Sequence, residues 1–193
     1  MNILDYLSLS QQKKIKHQKY KKGSLIYSEN DKCTSIGIVL SGQVSIVSYL
    51  EDGNEVVYNI IKENGIFGNN LIFSSSPYYK GNIITNEDSL IAFIPKNLLI
   101  ELLSSNKEFM VEYLKIQSDF TKTLNNTIKL LSMDSAEMRL YYYLHENNNE
   151  IIFDSITDLS KKLFIQRETL SRLLSKLERQ KKIKRNSNTI KLL

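Results

Sequence analysis

The segment from Asn106 to Met133 constrains the fold of this chain most strongly, because it contains neither glycine nor proline. Nothing in it interrupts a helix, and a helix of about 28 residues would be about 42 Å long. One small domain cannot cover such a helix along its whole length. The segment therefore divides the chain of 193 residues into two parts, each of which can form a modest domain with its own core.

Regularly spaced residues form one stripe along this predicted helix. The stripe consists of Met110, Tyr113, Gln117, Phe120, Leu124, Ile128 and Leu131. A stripe this narrow suits a partner helix and predicts a symmetric dimer, in which the polar Gln117 would help to fix the register. Packing against the chain's own preceding domain is the alternative, and the two contacts can occur at different ends of the helix.

Residues 1–105 are rich in short runs of β-branched and aromatic residues. The runs are SIGIVL, QVSIVSYL, EVVYNII, GNIIT and SLIAFIP, and turn residues separate them. Many short strands at regular spacing predict a sandwich or a jelly-roll-like barrel. The tetrapeptide EDGN predicts a hairpin turn in which Gly53 takes a positive φ. The lysine-rich residues 13–23 are interpreted as a solvated helix and the residues that follow its end. The alternative is an arm that binds phosphate.

Residues 134–193 carry two signals for the start of a helix. Asp134 and Glu137 have the spacing of a capping box, and Ser155 with Asp158 repeats it. A set of apolar and small residues then fits the helix-turn-helix pattern. These residues are Leu159, Ser160, Leu163, Ile165, Leu170 and Leu173. The last stretch, KKIKRNSNTIKLL, alternates on both sides of a polar turn and predicts a β-hairpin wing, so the whole region is predicted to be a winged helix-turn-helix.

Charge and helix geometry indicate what the second helix of this motif contacts. From Thr157 to Leu193 there are 11 Lys and Arg against 3 Asp and Glu, whereas the rest of the chain has 15 against 18. On a helical wheel begun at Arg167, the leucines share one side, and arginines, serines and Glu168 share another arc. A helix pressed into a DNA groove needs such short residues between long ones. The arc therefore favours DNA over the alternative of a solvated basic helix.

Several classes of protein and site are not expected. No apolar run is long enough to span a bilayer, and the N-terminus lacks a secretory-leader pattern, so we expect no membrane contact and a cytoplasmic location. Cys33 is the only cysteine, which excludes an internal disulfide and favours a packing role over a redox role. His17 and His145 are interpreted as solvated or structural rather than as haem ligands. The chain has no catalytic motif and no paired metal-ligand spacing, so an enzyme is not expected.

The stretch RETLSRLLSKLE, residues 167–178, closely resembles the recognition helix of the CRP/FNR family of bacterial transcription regulators. The likeness extends over the whole chain. KKGSLIYSENDKCTSIGIVLSGQVSIV is similar to the family's opening strands, and NGIFGNNLIF and SLIAFIPK match later landmarks. The resemblance implies an α+β fold. Its parts are a jelly-roll β-roll sensor of the cyclic-nucleotide-binding type in 1–105, a dimerisation helix in 106–133 and a winged helix-turn-helix DNA-binding domain in 134–193.

The resemblance also implies which residues bind double-stranded DNA. They are Gln166, Arg167, Glu168, Thr169, Ser171 and Arg172. The two arginines and Glu168 are assigned to base edges, where arginine can donate twice to guanine O6 and N7 and glutamate can accept from cytosine N4. This trio implies a TGTGA-like palindrome bound by a homodimer. Gln166 and Thr169, near the helix N-terminus, are expected at phosphates.

Two residues depart from the family's pattern in this motif. Phe164 occupies the turn position where the family most often has glycine. Because a bulky residue resists a positive φ, a turn of different shape is expected. Gln166 replaces the usual serine or threonine cap, which weakens the helix start. Neither departure removes a base-reading group, so the docking angle is affected more than the activity.

The sensor departs further from family members that bind cyclic AMP. Those members contact its sugar and phosphate through a glycine-glutamate pair and an arginine-serine pair. Here Gly68 and Asn69 occupy the first pair, and Tyr79 and Lys80 the second. Asparagine lacks the charge of a carboxylate and lysine lacks the bidentate fork of arginine, so cyclic AMP is disfavoured. The four residues are the candidate pocket for another effector, and the alternative is that no ligand binds there.

The implied function is sequence-specific transcription regulation, controlled by an effector in the β-roll and exerted through contact with RNA polymerase. Occupancy of the β-roll would be transmitted by a small rotation of the 106–133 helix. The alternative is a cyclic-nucleotide-binding-like signalling module that acts through a protein partner held by its basic tail. Preference for a TGTGA-type palindrome over scrambled DNA separates the two.

Overall fold

A computed structural model of the chain describes residues 3–49, 53 and 55–193. Its first elements are a 3-10 helix Ile3–Tyr6, α1 Leu9–Gln12, β1 Lys16–Tyr20, β2 Leu25–Tyr27, β3 Ser35–Ser41, β4 Val44–Tyr49, β5 Glu55–Ile61, β6 Ile66–Phe67, β7 Asn82–Thr85, β8 Ser89–Pro95 and α2 Lys96–Ser105. They are followed by α3 Lys107–Leu131, α4 Ala136–Glu146, β9 Glu150–Ile152, α5 Ile156–Leu163, α6 Arg167–Arg179, β10 Ile183–Arg185 and β11 Thr189–Leu192. The predicted long helix is α3, and the chain divides into two compact units inside it, between Ser118 and Asp119.

Two four-stranded antiparallel sheets make up most of the first unit, with strand orders β1-β8-β3-β6 and β2-β7-β4-β5. The runs predicted as strands correspond to β3, β4, β5, β7 and β8. Ile38 of the first sheet and Ile83 of the second are buried in one apolar cluster, so the sheets enclose a common core. This is the jelly-roll β-roll that the strand pattern predicts.

The hairpin predicted at EDGN joins β4 and β5, which pair antiparallel with Tyr49 opposite Glu55. Gly53 has the predicted positive φ, +82°. Among the described residues, no heavy atom outside the glycine itself lies within 4 Å of the position that a Cβ would take there, so the backbone conformation rather than lack of space favours glycine. The other turn residues, 50–52 and 54, lie outside the described part of the chain.

The lysine-rich segment does not form the predicted solvated helix. Helix α1 ends at Gln12, and β1 pairs with β8 at the edge of its sheet. Lys16 and Lys19 of this strand are exposed. Backbone pairing with β8 therefore overrides the local charge pattern, and the charged side chains on this edge oppose the addition of another strand.

Helix α2 is an element that the strand-rich interpretation of residues 1–105 missed. Its Leu98, Leu99 and Leu102 are buried in the β-roll core. A single residue, Asn106, separates it from α3, and its side-chain oxygen accepts a hydrogen bond from the Phe109 amide at 3.0 Å. A side chain that satisfies a free amide at a helix N-terminus stabilises that start, so α3 begins at a defined residue.

The second unit contains the two predicted helix starts, one of them displaced. The N-cap of α4 is Ser135, whose Oγ accepts from the Met138 amide at 3.1 Å. The capping box predicted at Asp134 and Glu137 is therefore wrong by one residue, because serine provides the cap and the Glu137 carboxylate bonds Lys176 instead. The N-cap predicted at Ser155 is confirmed, since its Oγ accepts from the Asp158 amide at 3.0 Å.

The winged helix-turn-helix is also confirmed. Leu159, Leu163 and Leu170 are buried in the core of the second unit, and the small Ser160 is buried as predicted. The terminal hairpin is formed by β10 and β11, and β9 adds a third strand to give the order β10-β11-β9. The helices α5 and α6 thus lie in one compact unit together with α4 and a three-stranded wing.

Candidate DNA-binding surface and effector pocket

Helix α6 has the apolar and polar sides that the helical wheel predicts. Leu170, Leu173, Leu174 and Leu177 are buried. The residues assigned to DNA are all exposed, namely Gln166, Arg167, Glu168, Thr169, Ser171 and Arg172. Burying one leucine side chain contributes about 1.5–3 kcal/mol, so the four leucines together fix which face of α6 points outward.

The three residues assigned to base edges have no internal partners. Within residues 3–49, 53 and 55–193, no side chain forms an ion pair or a hydrogen bond with those of Arg167, Glu168 and Arg172. Their donors and acceptors therefore remain available to a ligand. Truncating any of them would leave no polar group of the protein itself unpaired.

Basic residues in this unit fall into two groups. Some are paired with carboxylates, as Lys176 and Lys182 are with Glu137 at 3.2 and 3.7 Å, and Lys191 with Glu150 at 3.4 Å. Lys161 and Lys162, on the last turn of α5, have no carboxylate partner among the described residues. Unpaired positive charge near the start of α6 favours contact with phosphates.

The turn between α5 and α6 differs from its expected shape. Phe164 has φ +53° and ψ +44°, the left-handed conformation that a bulky residue was expected to resist. The turn therefore keeps the geometry that glycine would allow, and the prediction of a different shape is wrong. Hydrogen bonds on both sides hold it: the Phe164 amide donates to the Lys161 carbonyl at 3.2 Å, and the Ile165 amide to the Ser160 carbonyl at 3.0 Å.

The start of α6 is weakly capped, as predicted. Gln166 is the N-cap residue with extended backbone angles, and its side chain makes no capping hydrogen bond. Its carbonyl oxygen accepts from the Leu170 amide at 2.9 Å, which begins the helical bonding. The first amides of α6 thus remain open to an acceptor such as a phosphate.

In the candidate effector pocket, Asn69 is bonded to α3. Its side-chain nitrogen donates to Gln117 Oε1 at 3.0 Å, and its carbonyl accepts from Gln117 Nε2 at 2.7 Å and from the Tyr113 hydroxyl at 3.2 Å. Asn69 is 5% exposed. The residue aligned with the sugar-binding glutamate is therefore already occupied by groups of the chain itself.

Tyr79 fills space beside Gly68. Its ring is buried and stacks on Tyr27 with centroids 4.8 Å apart. A Cβ at Gly68, where φ is +78°, would lie 2.9 Å from the Tyr79 hydroxyl and 3.1 Å from the Cys33 sulfur. Glycine at position 68 thus makes room for the chain's own tyrosine.

The hydroxyl of Tyr79 is buried with no hydrogen-bond partner in the described part of the chain. Burial first, and then the neighbouring Cys33 thiol, which is only a weak hydrogen-bonding group, raises the pKa of Tyr79, so the phenol stays protonated. Lys80, the last of the four pocket residues, has an exposed side chain, and its carbonyl accepts a hydrogen bond from Ser48 Oγ at 3.2 Å. The structure brings Gly68 and Tyr79 together and leaves the Lys80 ammonium group outside the core.

Comparison with known proteins finds similarity along both units. Residues 17–106 match the family described as "Cyclic nucleotide-binding domain". The transcriptional regulator SdrP of Thermus thermophilus is 24% identical over 161 residues, covering 80% of this chain and 77% of SdrP. The regulatory protein HlyX of Actinobacillus pleuropneumoniae is 24% identical over 169 residues, covering 82% of this chain and 70% of HlyX. A mutant of CooA from Carboxydothermus hydrogenoformans has the same fold, with a TM-score of 0.70 at 20% identity over 100% of this chain and 91% of that one.

A cyclic-nucleotide-binding-type domain, a long helix and a winged helix-turn-helix thus occur in a chain similar over most of its length to named transcription regulators. The chain resembles the CRP/FNR family of transcription regulators in the order and fold of its parts. This likeness and the winged helix-turn-helix favour DNA binding and a role in transcription regulation.

The predicted stripe of α3 has two environments. Phe109 and Tyr113 are buried in the β-roll core, so the alternative interpretation, packing against the preceding domain, holds for the start of the helix. The prediction that Gln117 helps to fix the register of a dimer is wrong, because its side chain is bonded to Asn69 and to the Tyr113 hydroxyl, the latter at 2.8 Å.

The exposed side of α3 is shifted by one residue at two positions of that stripe. Leu114 and Thr121 are exposed where Tyr113 and Phe120 were predicted. The exposed residues Leu114, Thr121, Leu124, Ile128 and Leu131 recur at heptad spacing. We call them the α3 seam. The sequence could not distinguish the seam from the buried side of the helix, because apolar residues recur every three or four positions on both.

The remaining candidates from the sequence are not assembled into sites. Cys33 is buried, and burial raises the pKa of its thiol, which disfavours the reactive thiolate. His17 and His145 are exposed. No group of three His, Cys, Asp or Glu residues in the described ranges has the arrangement of a metal site. Within those ranges, too, no helix is long and apolar enough to cross a membrane.

Replacing Tyr79 by phenylalanine is expected to stabilise the protein by about 1 kcal/mol, because it removes a buried hydroxyl that has no hydrogen-bond partner among the described residues. Denaturant unfolding measures the change. Tyr27→Phe is the matched control in the same stacked pair. It deletes a hydroxyl that shares a hydrogen bond with Ser35 Oγ at 3.2 Å, and it should lower stability by about 1 kcal/mol. Stability changes of the same sign in both variants would show that the Tyr79 hydroxyl has a partner.

Proposed function

We propose that this chain is a homodimeric, sequence-specific transcription regulator that places two α6 helices in successive major grooves of a TGTGA-like palindrome, about 34 Å apart. The observation that carries the proposal is the exposed, internally unpaired trio Arg167, Glu168 and Arg172 on a helix whose opposite face is locked into a core. A polar face that only kept the protein in solution would not require these three residues on a helix whose orientation is fixed by its buried leucines.

The chemistry of the trio favours G·C pairs. Each arginine offers a planar fork of donors to guanine O6 and N7, and the Glu168 carboxylate accepts from cytosine N4. Gln166, Thr169 and the open amides at the start of α6 contact phosphates, which position the protein without specifying sequence. Ser171 contributes a short side chain on the same face, where the helix approaches the groove.

The homodimer forms through the α3 seam. Ile128 is 64% exposed, and Leu114, Leu124 and Leu131 are each about half exposed, an unusual number of solvated apolar side chains for one helix. Their heptad spacing suits knobs-into-holes packing against the same helix of a second chain. A two-fold axis along this contact matches the two-fold symmetry of a palindrome.

The β-roll is the regulatory part of this proposal, and its effector is not cyclic AMP. A cyclic nucleotide at Gly68, Asn69, Tyr79 and Lys80 would have to displace the stacked Tyr79 ring and the two hydrogen bonds between Asn69 and Gln117. The same bonds supply a route of control. An effector that frees Asn69 from Gln117 alters α3, and a small rotation of α3 repositions the DNA-binding helices.

This proposal assigns one role to each part of the chain. Residues 1–105 form the sensor, 106–133 the dimerisation helix and 134–193 the DNA-binding domain. Bound to its palindrome in the cytoplasm, the dimer contacts RNA polymerase, as the resemblance to the family implies. A signalling module that acts through a protein partner is the other function considered, and it would not require the exposed trio on α6.

Arg167→Ala is expected to weaken binding to the palindrome by about 1–3 kcal/mol and to relax discrimination at one base pair. Lys161→Ala, at an exposed lysine on α5, should weaken binding to all DNA sequences alike and reduce the salt dependence of that binding. Fluorescence anisotropy with palindromic and scrambled DNA measures both. An equal loss of affinity for every DNA sequence in Arg167→Ala would contradict a role of Arg167 in reading a base. A wild-type protein with no preference for the palindrome would favour the signalling module.

Ile128→Glu is expected to raise the dimer dissociation constant by about 100-fold or more, since it buries an unpaired carboxylate from each chain in the seam. Sedimentation equilibrium measures the constant. Ile152→Glu is the matched control, because Ile152 is equally apolar and 75% exposed on β9. The seam is not the interface if both variants remain dimers of wild-type affinity.

Cyclic AMP is expected to leave both the unfolding temperature and the DNA affinity unchanged, because Tyr79 and Asn69 already occupy its contacts. Thermal unfolding over a range of cyclic AMP concentrations is a sufficient test, since a ligand of the native state raises the transition temperature with its concentration. A concentration-dependent rise would overturn the exclusion of cyclic AMP.

A further inference from the structure

One arginine of α4 bonds two carbonyl groups that lie far apart in the sequence. Arg139 Nη1 donates to the Phe164 carbonyl at 2.6 Å, while Nε and Nη2 donate to the Met133 carbonyl at 3.3 and 3.2 Å. No carboxylate among the described residues pairs with its guanidinium. The positive charge of Arg139 is therefore directed at these two carbonyls.

Each of the two carbonyls follows the C-terminal end of a helix. Met133 lies just beyond the end of α3 at Leu131, and Phe164 is the C-cap residue of α5. The last carbonyls of a helix have no partner within it and form the negative end of its dipole, where a cation is favourable. A guanidinium presents its donors in a rigid planar fork, so Arg139 ties the end of α3 to the turn after α5.

The turn at Phe164, which Arg139 bonds, has an unfavourable backbone conformation. Phe164 has φ +53°, a conformation that side chains other than glycine rarely adopt. The Arg139 bond holds the carbonyl of this same residue, and only Ile165 and Gln166 separate it from the first residue of α6. The orientation of that peptide therefore sets the direction in which α6 starts.

We propose that Arg139 is a positioning residue for DNA binding. It holds the Phe164 turn in its left-handed conformation and thereby fixes the docking angle of α6 relative to the end of α3. The proposal rests on the proposed function, because it takes α6 as the helix that meets DNA. Arg139 is half-buried on α4, a different helix from the one that carries the trio, and is assigned no contact with DNA itself.

Removing the donors of Arg139 should weaken specific binding in particular. Arg139→Met is expected to lower affinity for the palindrome by about tenfold or more, the loss typical of hydrogen bonds to a charged group. The ratio of palindrome to scrambled affinity should fall with it. Arg139→Lys, which keeps the charge and loses the fork, should lie between wild type and Arg139→Met. Binding is measured on the full chain at a temperature at which circular dichroism shows every variant folded.

Glu137→Gln is the matched control on the same helix. Glu137 pairs with Lys176 and Lys182 at 3.2 and 3.7 Å, and partly exposed pairs of this kind contribute little. Its loss should leave the affinity ratio within about twofold of wild type. An equal fall in the ratio for both variants would show that any disturbance of α4 affects binding, and would overturn a specific role for Arg139.

Glycine at position 164 tests the route by which Arg139 acts. Glycine adopts a positive φ without steric cost, so Phe164→Gly should recover part of the affinity ratio lost in Arg139→Met. The two substitutions are compared singly and together in a double-mutant cycle. Strict additivity of the two effects would contradict an action through the turn.

Amide hydrogen exchange without DNA separates failure of this proposal from failure of the proposed function. Arg139→Met should speed exchange at the Phe164 and Ile165 amides by about tenfold, while the Leu170 amide inside α6 changes less. If wild type shows no preference for the palindrome but these amides respond, the proposed function fails and with it the role of Arg139 in DNA binding, while its stabilisation of the Phe164 turn is supported. If neither exchange nor affinity responds, the positioning role is overturned.

Discussion

The burial of one face of α6 is the constraint on which the rest of the DNA-binding unit depends. Four leucines of this helix are buried, each contributing about 1.5–3 kcal/mol, whereas the ion pairs of Glu137 with Lys176 and Lys182 are partly exposed and worth less than about 1 kcal/mol each. Hydrophobic packing therefore determines the orientation of α6. The polar face, with Arg167, Glu168 and Arg172, is outward because the opposite face cannot leave the core.

Helix α3 is committed to the β-roll at its start. Phe109 and Tyr113 are buried there, and Gln117 exchanges two hydrogen bonds with Asn69. These contacts fix which side of the helix is buried and so which side carries the α3 seam. They also join the position aligned with the ligand-binding glutamate of cyclic AMP-binding relatives to the helix proposed for dimerisation. The proposed regulation follows from that junction, since a change at Asn69 cannot leave Gln117 unaffected.

Local patterns predicted most of the fold. The strands β3, β4, β5, β7 and β8, the helix α3 and the cap at Ser155 follow from periodicity and turn chemistry over a few residues. The leucine side of α6 was predictable for the same reason. What failed depended on contacts between distant residues. Pairing with β8 makes a strand of the lysine-rich segment, and a buried leucine row makes α2 part of the β-roll core.

Side-chain partners in space explain the other differences. The turn at Phe164 was predicted from steric preference alone, but Arg139 bonds its carbonyl from another helix. Gln117 was assigned to a dimer, but its partner is Asn69, 48 residues away in sequence. No local signal identifies Tyr79 as a residue that fills the space beside Gly68. The exposed trio on α6 could be located from sequence, whereas its supports and the occupied pocket could not.

Whether α6 reads guanine in the major groove can be measured by binding to a modified palindrome. Replacing guanine by 7-deazaguanine within the TGTGA half-sites removes the N7 acceptor and leaves base pairing intact. Affinity for the modified palindrome is expected to fall by about tenfold or more, while affinity for scrambled DNA is the same with and without the modification. Equal affinity for the modified and unmodified palindromes would contradict this role of α6.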